Sequence, residues 1–250
     1  MMSLVWQVFW AALLTDLATG LGALPFAFVQ KMSERWQGIA AAVAGGMMIS
    51  ASVFSLAEQA LRRGSVWSVM TGLLLGAAFC AWTARLIDRE NHWHIANLNA
   101  ADSRQAVLIV ATLFIHSIPE GVAIGVGYAT GEMRFGLLLT LAIAVHNIPE
   151  GMTVTLPLRA KGVSVWKCAG YSILTSVPQP LAAVPSFLLV SFFQPLLPAG
   201  LGFAGGAMIY LVIAELIPDS LGRCAKEETA WGVMVGLVVM LALTSGLGLS

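Results

Sequence analysis

Charge is scarce in this 250-residue chain: 10% of its residues are Asp, Glu, Lys or Arg, while 58% are hydrophobic. A soluble domain carries about a quarter charged residues, and no long polar stretch here could form a separate one. The charges also cancel, with 13 of each sign. Without a basic surplus there is no electrostatic footprint for nucleic acid, which is excluded as a partner. Cysteine is sparse too. Cys80, Cys168 and Cys224 are isolated, with no CxxC spacing, and read as small residues packed in or beside helices. The first apolar run has no basic segment before it and no small-residue cleavage site before Gly20, so it is expected to stay as a membrane span.

What fills the chain instead is long apolar runs. They far exceed the roughly ten residues of a barrel strand, so the fold class is all-α and integral to the membrane. Eight segments are long enough to cross a bilayer core of roughly 30 Å: 4–29, 37–61, 65–87, 105–129, 134–158, 167–192, 199–221 and 229–249. They form a single transmembrane domain. The stretch 88–104 is polar and is expected to be a loop.

Lys and Arg set the expected orientation. With the N-terminus outside, the inner loops hold Lys31, Arg35, Arg85, Arg89, Arg104, Arg159, Lys161, Lys167, Arg223 and Lys226, and the outer loops hold Arg62, Arg63 and Arg134. Ten against three favours both termini outside and the 88–104 loop in the cytosol. A repeat adds topology. Ala44-Gly45-Gly46-Met47-Met48-Ile49 in segment 2 echoes Ala204-Gly205-Gly206-Ala207-Met208-Ile209 in segment 7, and the two segments run in opposite directions. An inverted repeat would relate segments 1–3 to segments 6–8, with 4 and 5 between them, an arrangement that places transport sites at the repeat interface. Small-residue helix packing is the competing explanation of the echo.

A stronger repetition carries the chemistry. His116-Ser117-Ile118-Pro119-Glu120-Gly121 recurs as His146-Asn147-Ile148-Pro149-Glu150-Gly151. Each copy puts an imidazole and a carboxylate four residues apart, on one helix face. Each buried charge costs about 2.5–3.5 kcal/mol at the bilayer centre even on the lenient insertion scale. No Lys or Arg stands at similar depth in segments 4 or 5, so a dication is the natural partner of Glu120 and Glu150. Pro119 and Pro149 free the carbonyls of Ile115 and Val145 beside the histidines. Such broken backbone is tolerated in membranes where it lines a cavity. Histidine and carboxylate without thiolate fit zinc, iron, manganese, cobalt or nickel better than Cu(I), calcium or magnesium.

These phrases resemble the ZIP family of zinc and iron transporters, in particular its GufA-like branch. Supporting stretches are Thr19-Gly20-Leu21-Gly22-Ala23-Leu24-Pro25, Ala207-Met208-Ile209-Tyr210 and Glu215-Leu216-Ile217-Pro218. The resemblance implies eight helices in a 3+2+3 arrangement. It implies a midplane metal site of His116, Glu120, His146 and Glu150, and it alone adds Met48. Many bacterial members hold a second, adjoining metal. The positions that would serve it are Ser117, Asn147 and Gln179 here, all neutral. A second dication would leave uncompensated charge in a low-dielectric core, so one metal at a time is expected.

The functional expectation is uptake of a divalent metal, zinc foremost, into the cytosol across the plasma membrane (the inner membrane of a bacterium). The metal is cargo and no cofactor is expected. The partners are the metal and the lipid bilayer, and a homodimer is compatible with this reading. Ser55, seven residues after Met48, could line the outer route, and His92 and His94 in the 88–104 loop could receive departing metal. Asp16 reads as a helix-packing or pathway group, and Glu58, Glu215 and Asp219 as groups near helix ends. The alternative is an intramembrane metalloenzyme on the same ligands. The spacing is not His-Glu-x-x-His, and no nucleophile cluster accompanies it. A metal sensor would need a soluble output domain.

Overall fold

The computed structural model describes residues 2–29, 32–89 and 100–246, and all of its regular structure is helical. Eight helical spans follow one another: α1 (Met2–Leu21), α2 (Glu34–Arg63), α3 (Val66–Arg89), α4 (Ala100–Ala129), α5 (Met133–Ala160), α6 (Val165–Phe192), α7 (Gln194–Arg223) and α8 (Lys226–Gly246). At 1.5 Å per residue, spans of 20 to 30 residues match or exceed a bilayer core. Seven spans are long and apolar enough to cross a membrane, and the eighth, α4, has the apolar stretch Leu113–Ala129.

The burial pattern is that of a protein dissolved in lipid. Trp10, Trp67, Leu74, Phe192 and Trp231 are exposed, whereas Thr15, Ser52, Ser55, Asn147, Ser172 and Gln179 are fully buried. A hydrophobic exterior, with many polar groups buried among apolar ones inside, departs from the pattern of soluble proteins and leaves polar groups to pair with one another.

Several boundaries differ from the sequence expectation. The first helix ends at Leu21 rather than running to residue 29, and a short 3₁₀ turn over Leu24–Ala27 follows. Pro25 cannot donate to a continuing helix and shapes this ending. The expected 88–104 loop is shorter at both ends, because α3 runs to Arg89 and α4 begins at Ala100. Asp88 and Arg89 at one end, and Asp102 and Arg104 at the other, are residue types that a helix accommodates but that polarity alone reads as loop. His92 and His94 lie outside the described residues.

The helices sort into two groups. Helix α3 packs along α7, and α8 along α2; α4 packs along α6, and α5 along α1. A constant spacing of 160 positions relates these contacts. A Cβ on Gly46 would strike the carbonyl of Val233, and one on Gly206 the carbonyl of Leu73. In return, Gly236 abuts the Val43 carbonyl and Gly76 the Phe203 carbonyl. In the other group, Gly151 meets the carbonyl of Thr19 and Gly121 that of Gln179. Every pair swaps when 160 is added on the outer helices and the two motif copies are exchanged. The inverted repeat therefore extends from the Ala-Gly-Gly phrase to the whole bundle. It also extends to helix defects, since α2 carries a π-helical stretch at Ala51–Ala57 and α7 one at Val212–Leu216. Such widened turns are frequent at functional sites.

Helices α4 and α5 form the central hairpin. Gly131, at φ 79°, makes the left-handed turn between them, a backbone region where a side chain is penalised. This tight reversal brings the two motif copies together as antiparallel neighbours.

Candidate metal site

Helix α4 supplies Glu120 and α5 supplies His146 and Glu150. One ligand atom from each lies within 4.8 Å of the other two, and all three residues are buried. Pro119 and Pro149 lie inside helices that continue through them, next to the two carboxylates. His146 Nε2 sits 3.1 Å from Glu120 Oε1. Its Nδ1 lies 3.2 Å from the Ala142 carbonyl one turn back. An Nδ1–H donated to that carbonyl leaves Nε2 with its lone pair toward the carboxylates, the tautomer a metal-binding histidine needs. Glu150 Oε2 is buried without a hydrogen-bond partner. Two carboxylates in so small a dry space repel one another, and an unpartnered oxygen there is costly unless a cation takes it.

The second histidine faces elsewhere. His116 is buried, and its Nε2 lies 3.1 Å from Oε2 of Glu215 on the π-helical turn of α7, close but not aligned as a hydrogen bond. Thus three of the four motif ligands converge, while His116 joins a residue that the sequence offered only as a group near a helix end. Met48 is buried in the main apolar core. Its neighbour Met47 packs in the cluster that holds Ala142 and Val145, beside His146.

The three neutral positions are all engaged. Ser117 Oγ lies 3.1 Å from the carbonyls of both Leu113 and Thr175. Asn147 Nδ2 donates to the Thr15 carbonyl at 3.0 Å. Gln179 Nε2 donates to Glu120 Oε2, and Thr15 Oγ1 lies 2.6 Å from Gln179 Oε1. Thr15 carried no signal by itself in the sequence; the 160-position spacing, which pairs it with Thr175, is the pattern that singles it out.

Other polar groups lie elsewhere on the packed helices. Ser50, Ser52 and Ser55 on α2 have buried, unpartnered hydroxyls, as has one carboxylate oxygen of Asp16 on α1. Glu58 pairs with Arg62 at 2.6 Å and Asp219 with Arg223 at 2.8 Å, both toward helix ends. At the C-terminal end of α2, Arg63 contacts Glu132 and the Thr130 carbonyl in the α4–α5 turn.

The sequence has relatives among known proteins. The sequence profile of the ZIP Zinc transporter family matches residues 87–244, which include both motif copies. The chain belongs to the ZIP family. Among its relatives is the zinc transporter GufA of Myxococcus xanthus, 36% identical over 95% of this chain and 98% of that protein. The zinc transporter ZIPB of Bordetella bronchiseptica is 36% identical over 92% of this chain and 78% of its own length. A putative zinc transporter of Arabidopsis thaliana is 41% identical over 91% of this chain, which spans only 37% of that longer protein. The full-length match to GufA supports the GufA-like branch within the ZIP family.

Proposed function

We propose that the protein carries a divalent metal ion, zinc foremost, across the membrane through the site between α4 and α5. The observation that carries this reading is the buried convergence of Glu120, His146 and Glu150 around an oxygen with no partner. Nitrogen and carboxylate ligands in a tetrahedral-sized cluster suit zinc. The names of the GufA and ZIPB relatives point the same way. Nothing in the site supplies a nucleophile or a second catalytic cluster for the enzymatic alternative.

Met48 and His116 complete the ligand set in this proposal. His116 lies one helical turn from Glu120 and also beside Glu215, so it can pass from one carboxylate to the other as the ion moves. Transport is then ligand exchange: the hydrated ion sheds water onto imidazole and carboxylate, and leaves when the helices shift. Metal and proton compete, because neutral imidazole and ionised carboxylate are the binding forms. One ion is held at a time. Ser117, Asn147 and Gln179 add no negative charge; Ser117 and Gln179 are committed to partners inside the protein, and Asn147 is held through its amide nitrogen, with Oδ1 left without a partner. The direction is inward across the plasma membrane with both termini outside. Ser55 lines the outer route, His92 and His94 receive the ion in the cytosol, and a homodimer is compatible with this reading.

Reconstituted vesicles test the reading. Zinc added outside should reach a trapped fluorescent indicator with the wild type and not with Glu120→Ala. Flux equal to empty vesicles, across several metals and for both proteins, would exclude transport.

A further inference from the structure

Glu120 has two carboxylate oxygens in different situations. Oε1 faces His146 Nε2 at 3.1 Å, within the ligand cluster. Oε2 accepts the side-chain amide of Gln179 on α6. That amide is oriented in turn by α1, where Thr15 Oγ1 stands 2.6 Å from Gln179 Oε1. The Thr15 hydroxyl can donate to this amide oxygen or to the Ala12 carbonyl at 2.7 Å, so the orientation is decided at the other end, where the flipped amide would set an oxygen against the carboxylate. The network therefore assigns Nε2 to Glu120. Thr15, Gln179 and Glu120 are all fully buried, so no water competes for these bonds.

We propose that Thr15 and Gln179 are positioning residues that make Glu120 a one-oxygen ligand and so set which metals the site prefers. This rests on the metal site proposed above. An amide hydrogen on Oε2 withdraws density from that oxygen and blocks the symmetric approach that two-oxygen chelation requires. Oε1 alone is presented to an ion held by His146 and Glu150. Few ligands at short distance suit a small tetrahedral ion such as Zn2+. Mn2+ favours more oxygen ligands in octahedral geometry, and the capped carboxylate withholds one from it. Groups that orient a ligand from outside the coordination shell change metal affinity by about 10- to 100-fold.

The test is equilibrium metal binding to the purified, detergent-solubilised full chain, with Zn2+ and Mn2+ measured separately by competition with a chromophoric chelator. Gln179→Leu keeps the bulk and removes the amide. It should lower the ratio of Zn2+ to Mn2+ affinity by about tenfold or more, the scale of such outer effects. Thr15→Val keeps the shape and removes the hydroxyl; it should move the ratio in the same direction and by less. Because the two act in series, Thr15→Val should add nothing to Gln179→Leu. A purely structural role would weaken both metals together, so an unchanged ratio in both single variants overturns the proposal. A further fall in the double variant overturns the relay. If Gln179→Leu does not fold, the ratio in Thr15→Val decides alone. A wild type that binds neither metal would refute the metal site itself, and this inference with it. An unchanged ratio beside normal Zn2+ binding refutes only the inference.

Discussion

Asn147 reaches across from α5 to donate its amide to the carbonyl of Thr15 on α1, at 3.0 Å. Thirty positions earlier, in the other copy of the motif, Ser117 reaches from α4 to the carbonyl of Thr175 on α6, at 3.1 Å. Thr15 and Thr175 stand 160 positions apart, the spacing that relates the glycine contacts of the outer helices. The two bonds are one bond made twice by an inverted repeat. They fix each motif helix to its own neighbour, through the Ser117 hydroxyl in one copy and the Asn147 amide nitrogen in the other. The repeat breaks where the chemistry is. Glu215, beside His116, corresponds to Ser55, whose hydroxyl has no partner. The scaffold is symmetric, and its charge is not.

Removing either bond should cost stability on a similar scale. Ser117→Ala deletes a hydroxyl shared between the carbonyls of Leu113 and Thr175, and Asn147→Ala deletes the amide that reaches the Thr15 carbonyl. Each should lose about 0.5–1.5 kcal/mol of stability. Matched thermal melts in detergent check this. Both variants should still bind one zinc per chain, which equilibrium dialysis measures.

Glu150 should be destabilising without metal and necessary with it. Its Oε2 is buried and unpartnered, and one of its carboxylate oxygens lies within 4.8 Å of ligand atoms on Glu120 and His146. Glu150→Gln keeps the shape and removes one of two like charges. The metal-free variant should melt higher than the wild type, by on the order of 1 kcal/mol or more, since an uncompensated buried charge is removed. Zinc at 100 times its dissociation constant should stabilise the wild type by about 2.7 kcal/mol and the variant not at all. Melts with zinc and with chelator provide both numbers. A metal-free variant that melts below the wild type would count against the charge argument.

The sequence carried the class, the eight spans and the ligand helices, because lipid demands long apolar runs and the doubled phrase has a fixed helical spacing. It hid which imidazole joins the carboxylates. His116 and His146 are equivalent in the motif, and only the packing of α4 against α7 turns His116 toward Glu215. Thr15 was invisible for a similar reason: a threonine in an apolar helix has no pattern until its partner on α6 is placed. The wide reach of the repeat was legible. Pro25 and Pro185, Gly72 and Gly232, and Gly76 and Gly236 all share the spacing of 160, but a few glycines and prolines gain meaning only when their contacts also coincide.

The two histidines should separate in binding and transport. His146→Ala removes a nitrogen from the converged cluster and should weaken zinc binding by about 10- to 100-fold, the scale of lost metal-site groups. His116→Ala removes the partner of Glu215 and should reduce turnover more than affinity. Binding by calorimetry and flux in vesicles, on the same preparations, distinguish the effects. Equal loss of affinity in both variants would mean that His116 turns into the cluster once the metal binds.

The helix crossings give the last test, one that bears on the repeat without touching the site. A methyl on Gly46 would collide with the Val233 carbonyl, and a methyl on Gly206 with the Leu73 carbonyl. Backbone cannot rotate aside as a side chain does, so α8 must move away from α2, or α3 from α7. Forcing a methyl into such a contact costs about 1–3 kcal/mol. Gly46→Ala and Gly206→Ala should thus lower the melting temperature by similar amounts. A methyl on Gly222, in the helical end of α7, would meet nothing within 4 Å, so Gly222→Ala should be neutral or slightly stabilising. Thermal melts of the three variants, made in parallel, check the ordering. If Gly46→Ala and Gly206→Ala differ as much from each other as from Gly222→Ala, the two crossings are not equivalent, and the repeat would be a likeness of shape without a likeness of packing energy.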